Sequence, residues 1–296
     1  MTTIKAFIQR RPVLSYYILT FAISWGGMLL AVRLGAGEFS ITPEQLQAVI
    51  PYAVPAMLLG PSVAGLVMTA LLDGRAGLRE LGSRLRKWRG GGPWYAVALL
   101  TTPLSILAVL FVLSFLSPAF LPRIFTTDDK AGLLLMGLAV GLGAGIFEEL
   151  GWTGFAIPRM RLRYTILWTG LIVGVLWGLW HFLVNFWASG VTAGELSLVI
   201  FLPLWLIGVL VGQLTAYRVL MVWVYDRTGS LLVAMLMHAS LAAFQFILIP
   251  PVPGVAYWPI GFVYAAATWL IVAAVAVASH GQLSRPGQPP ANIGSP

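Results

Sequence analysis

Eight stretches of this chain, at residues 13–33, 49–72, 94–117, 131–157, 166–187, 197–217, 230–250 and 257–279, consist almost wholly of apolar side chains. Each matches or exceeds the ~20 residues that carry a helix across a hydrocarbon core about 30 Å thick. Lipid offers no partner to exposed backbone N–H and C=O groups, so a spanning segment is confined to a helix or a closed barrel. Continuous apolar runs, rather than short alternating segments, select the helix. The expected fold class is therefore all-α, a polytopic membrane bundle of eight transmembrane helices. Only 9% of the residues are charged, against about 25% in soluble domains. The first run follows Lys5, Arg10 and Arg11 in the manner of a signal peptide. It is too long for that role and is followed by Arg33, so it is expected to be the first transmembrane helix.

Charge then sets the orientation. With eight spans both termini share one side. That side would hold Lys5, Arg10, Arg11, Arg75, Arg79, Arg84, Arg86, Lys87, Arg89, Arg159, Arg161, Arg163, Arg218, Arg227 and Arg285, and the other Arg33, Arg123 and Lys130. Basic residues accumulate in short cytoplasmic loops, so both termini are expected in the cytoplasm, with the bundle in the cell membrane. This accounts for the net charge of +8 without a nucleic-acid partner. The absence of cysteine excludes disulfides, thiolate metal sites and cysteine nucleophiles. Residues 73–93 are basic, with Leu78, Leu81 and Leu85 at helical spacing, which predicts a helix lying on the inner membrane surface. Asp226 and Arg227 read as solvated residues of an inner turn. Trp88, Trp94, Trp168, Trp187, Tyr257 and Trp258 fall near span ends, where interfacial aromatics belong. The tail beyond residue 280 is rich in Pro and Gly and is expected to be disordered. The organisation expected is 1–130 (three helices and the connector), 131–250 (helices four to seven, the core) and 251–296 (the last helix and the tail).

Few groups that titrate near neutrality fall inside the spans: Glu148 and Glu149 in the fourth, His181 in the fifth, His238 in the seventh. A charge at the bilayer centre costs roughly 2.5–3.5 kcal/mol on insertion scales, so such residues mark function by default. Two adjacent carboxylates repel, and one of them is expected to hold a proton. At 1.5 Å per residue, Glu148, His181 and His238 lie about 15, 22 and 12 Å from the inner ends of their helices. All three depths are near the membrane middle, which allows one shared cavity. A carboxylate and an imidazole can take a proton from water and deliver it to a leaving amine. A second imidazole or an amide can stabilise an oxyanion. Alternatively two histidines and a glutamate can hold zinc. The His-Glu-x-x-His and Gly-x-Ser-x-Gly signatures are absent.

The residues around these groups read Glu148-Glu149-Leu150-Gly151-Trp152-Thr153, Trp177-Gly178-Leu179-Trp180-His181 and His238-Ala239-Ser240-Leu241-Ala242. In this order they resemble the three intramembrane motifs of the CAAX protease and bacteriocin-processing family: Glu-Glu-x-x-x-Arg, Phe-x-x-x-His and His-x-x-x-Asn or Asp. The flanks GWTGFAIPRM, RVLMVWVYDRTGSLLVAMLMHAS and LGPSVAGL are similar to bacterial members. The resemblance is closest over 131–250. It implies an eight-helix intramembrane endopeptidase of the type II prenyl protease kind, acting on a membrane protein or peptide within the lipid bilayer. Glu148 and His181 would activate the water, and Glu149 and His238 would complete the site. No cofactor is implied on the preferred reading, with zinc as the alternative.

Three positions depart from the motifs. Thr153 stands in place of arginine, which removes a fixed cation beside the carboxylates. Trp177 stands in place of phenylalanine, a mild change. Ala242 removes a possible oxyanion donor, for which Asn185, one turn beyond His181, and Gln245, seven residues beyond His238, are candidate replacements. Trp152, Trp177 and Trp180 are expected to pack, Gln213 to bond across helices, and Gly141, Gly143 and Gly145 to allow close helix approach. The lost arginine and asparagine leave open a non-catalytic membrane immunity or partner-binding protein of the same fold. A proton-coupled transporter also uses buried Glu and His, but repeated halves or broken helices are not evident.

Overall fold

The computed structural model describes residues 3–251, 258–281 and 283, and among them the chain is helical without a strand. Tyr257 and nearly all of the tail beyond residue 280 lie outside the described residues. The protein is a multi-pass membrane protein. Among the described residues seven helices are long and apolar enough to cross a membrane, or eight when one bent pair is taken as a single span.

After the short α1 (Thr3–Arg10), α2 (Pro12–Ala36) begins on a proline and ends at Gly37, whose φ of 81° suits the left-handed helix cap. Thr42 and Gln45 form a reciprocal capping box at the start of α3 (Pro43–Leu85). Then come α4 (Gly92–Ser114), the short α5 (Arg123–Thr126) and α6 (Lys130–Gly151). A π-helical turn, Trp152–Ala156, joins α6 to α7 (Ile157–Arg161). Next are α8 (Ile166–Trp180) and α9 (Phe182–Ala188). A longer span is built from α10 (Leu198–Leu204), a π-helical segment Trp205–Thr215 and α11 (Ala216–Thr228). Two further helices, α12 (Leu231–Leu248) and α13 (Trp258–Ala278), complete the bundle.

Two boundaries differ from the sequence expectation, and a third holds. The second span ends near 72 as expected, at the non-helical Gly74 (φ 59°, ψ −148°), and beyond this kink a separate helical segment of α3 runs to Leu85 over most of the basic connector. Leu81 on it is buried against Leu231 and Met235 rather than facing lipid. The fifth span is two helices, α8 and α9, meeting at 46° around His181. Both the backbone N–H and the ring Nδ1–H of His181 reach the carbonyl of Trp177, at 3.3 and 2.9 Å. A side chain competing for the helical ladder is a recognised cause of kinks. The Trp180 carbonyl at the kink is taken by Trp25 Nε1 of α2 at 3.1 Å, as an apolar surrounding requires. The sixth span does not end at 217, since helix continues to Thr228 and carries Arg218 within the bundle, not in a loop.

Glycines set which helices touch. A Cβ on Gly137, Gly141 or Gly145 of α6 would lie 2.4–2.5 Å from Ile247 Cγ1, the Ala239 carbonyl or the Met235 carbonyl of α12. Backbones therefore approach without side chains between them, the small-residue device of membrane helices. Gly143 faces open space, and Gly137 takes the role expected of it. Gly170 and Gly174 bring α8 equally close to Val219 and Thr215 of the α11 span. Gln213 bonds across helices as expected, donating to the Gly261 carbonyl of α13 at 3.2 Å. Asp226 remains exposed yet pairs with Arg161 at 2.7 Å.

Candidate active site

Glu148 and Glu149 occupy the last turn of α6, immediately before the π-helical Trp152–Ala156. Single-turn π segments recur at functional sites because the extra residue re-aims the side chains around it. Glu149 is fully buried. Its two carboxylate oxygens lie 2.8 and 3.0 Å from Nη1 of Arg218 on α11, itself fully buried. The Thr153 hydroxyl, one turn along, donates to the same carboxylate. So does Nδ1–H of His238, at 2.7 Å.

Glu148 is held differently. Its Oε2 accepts from the indole N–H of Trp177 at 2.7 Å and of Trp152 at 3.3 Å. Its Oε1 faces His238 Nε2 at 3.8 Å, so the His238 ring stands between the two carboxylates. Trp177 ties the rest together. The Arg218 guanidinium lies over its ring, 4.1 Å from the centroid. The His238 and His181 rings pack edge-on to it at 5.1 and 5.4 Å. His181 is half-buried at the helix break, with its ring edge-on to those of Trp177 and Trp180. A carbonyl can only accept, so the Nδ1 contact with Trp177 fixes the proton there and leaves the Nε2 lone pair free.

These contacts correct two expectations. The site does not lack a cation, because Arg218, 69 positions away in sequence, supplies the one expected at 153. Repulsion between the adjacent carboxylates is offset by this guanidinium. The tryptophans do more than pack, since Trp152 and Trp177 are the hydrogen-bond donors to Glu148. Trp180 stays in an aromatic contact with Trp152 at 5.8 Å. Sequence reasoning missed Arg218 by ending its span one residue early. The signal was present, since seven apolar or aromatic residues, Val219 to Tyr225, follow it.

The candidate replacement donors are placed elsewhere. Asn185 Nδ2 donates to the His181 carbonyl at 2.9 Å, one turn back on α9. Ala242 and Gln245 line an open pocket with Arg123 and Phe246, into which none of the four Glu and His side chains faces. The side chains do not fit a metal site. Glu149 and His238 Nδ1 are committed to Arg218, Thr153 and each other, and no three His, Asp or Glu side chains converge as ligands among the described residues.

The far side of the π segment is clamped by arginines. Arg84 of α3 donates to the Gly154 carbonyl at 3.0 Å and to the Tyr225 hydroxyl at 2.9 Å. Arg159 lies over the Phe155 ring at 3.8 Å and pairs with Asp73.

Residues 130–244 match the family model of the Rce1-like type II CAAX prenyl endopeptidases. A stretch of 58 residues is 40% identical to CAAX prenyl protease 2 of Methanococcus maripaludis, covering 20% of this chain and 20% of that protein. The matched stretch of this chain thus spans one fifth of the curated relative's length. The region matched by the family model runs from α6 into α12 and contains Glu148, Glu149, His181, Arg218 and His238.

Proposed function

We propose that this protein is an intramembrane endopeptidase of the CAAX prenyl protease type, hydrolysing a peptide bond with water activated by Glu148 and His181. The observation that carries this reading is the convergence of Glu148, Glu149 and His238 around Trp177, with Arg218 balancing the second carboxylate. In the proposed mechanism a water sits between Glu148 and the free Nε2 of His181. Glu148 takes its proton as the oxygen attacks the substrate carbonyl carbon. His238, doubly protonated and oriented by its Nδ1–H on Glu149, offers Nε2–H to the developing oxyanion. The tetrahedral intermediate then collapses, the C–N bond breaks, and the proton held by Glu148 passes to the leaving amine. Glu149, Thr153 and Arg218 position His238 without touching the reacting atoms.

The substrate is proposed to be a membrane protein or membrane-bound peptide, reached from the cytoplasmic side of the cell membrane. With Arg218 inside the bundle, the lysine and arginine balance still stands at fourteen to three in favour of cytoplasmic termini. A non-catalytic immunity role drew its support from the missing arginine and asparagine, and Arg218 supplies a cation in place of the first.

The test is cleavage of a membrane-peptide library by purified protein in bilayers, compared with Glu148→Gln and His181→Ala. A general base contributes about 10²–10⁴-fold, so each variant should lose at least a hundredfold of rate while keeping the wild-type unfolding transition. Equal cleavage by all three proteins would overturn the assignment. Loss of activity on chelation, restored by zinc, would overturn the metal-free mechanism.

A further inference from the structure

Outside the site, α6 and α12 leave a groove between them of ≈280 Å³, every lining side chain of which is apolar. Leu142, Ile146 and Leu150 form one wall, Leu232 and Met235 the other, and Leu85 borders it. The α6 residues recur every four positions, so the groove follows that helix for about 12 Å. One leaflet of hydrocarbon is about 15 Å deep. Groove and leaflet therefore match in length.

What lies at the mouth of the groove selects the occupant. Directly after Leu85 come Arg86, Lys87, Trp88 and Arg89, all exposed. This turn is fixed to the start of α12, because Ser230 Oγ donates to the Lys87 carbonyl at 2.6 Å, two residues before Leu232. Trp88 is 62% exposed, with the Arg89 guanidinium 5.0 Å from its ring centre. Among the described residues no acidic side chain pairs with Arg86, Lys87 or Arg89. Three cations and an amphipathic indole at the end of an apolar groove complement a headgroup of net negative charge joined to a hydrocarbon chain.

We propose that this groove and turn form a binding site for one anionic phospholipid. Its acyl chain lies along Leu142, Ile146 and Leu150, and its phosphate rests on Arg86, Lys87 and Arg89. The lipid splints the two helices that carry Glu148, Glu149 and His238. The site stands independently of any proteolytic activity.

The experiment is native mass spectrometry of purified, delipidated protein mixed with equal amounts of phosphatidylglycerol and phosphatidylcholine. The wild type should retain phosphatidylglycerol in preference. Each cation removed should weaken that preference about fivefold, so the combined Arg86→Gln, Lys87→Gln, Arg89→Gln protein should no longer discriminate. Ile146→Trp, which fills the groove from an exposed position, should lower retention of both lipids with the turn intact. Leu142→Trp provides the same measurement should Ile146→Trp lose its unfolding transition. A wild type that binds both lipids equally, a neutralised turn that still prefers phosphatidylglycerol, or undiminished retention in the groove variants would each overturn the proposal.

Discussion

Replacing Arg218 by methionine removes a cation while keeping a side chain of similar length against Trp177. The Glu149 carboxylate then keeps its bonds from Thr153 and His238 but loses the guanidinium countercharge, in a place where neither partner is exposed. Breaking a buried pair from one side costs about 3–5 kcal/mol, because a charge is left uncompensated. That is a large part of a typical total stability of roughly 5–15 kcal/mol. The loss of the guanidinium over Trp177 adds about 0.5–2 kcal/mol. Glu149→Gln combined with Arg218→Met removes both charges together, and replacing a buried pair by neutral groups is often nearly neutral. The double variant should therefore be more stable than Arg218→Met alone, with a coupling of roughly 3 kcal/mol or more. The assay is unfolding in mixed micelles followed by tryptophan fluorescence on the wild type, both singles and the double. Additive losses in the two single variants would refute charge compensation by Arg218.

Three further outcomes are expected. Trp177→Phe keeps a ring but deletes the 2.7 Å bond to Glu148, and should cost about 1.5–3 kcal/mol in the same unfolding assay. Gly145→Val places a Cβ 2.4 Å from the Met235 carbonyl and should cost about 1–3 kcal/mol or more, whereas Gly143→Val, at an open position, should be nearly silent. Arg84→Ala frees the Gly154 carbonyl and the Tyr225 hydroxyl, and amide hydrogen exchange across residues 152–156 should accelerate about tenfold.

The sequence by itself determined the solvent, the class of fold and four of the side chains that meet in the candidate site. Runs of apolar residues longer than a bilayer is thick leave helices as the available structure, and the two glutamates and two histidines stood out because charge is rare in such runs. Glycine spacing on α6 likewise marked the face that meets α12, with one glycine of the three, Gly143, facing open space and Gly137 in contact instead. Tertiary structure decided the rest. The break at His181 arises from one ring nitrogen competing for the Trp177 carbonyl, an event that hydropathy does not register. Burial of Leu81 depends on Leu231 and Met235, far away in sequence. Above all, the missing cation was sought at Thr153, one turn from Glu149, but it comes from Arg218 on another helix. Charge compensation acts through space: a buried carboxylate needs a counterion within a few ångströms, from whichever helix the packing brings there.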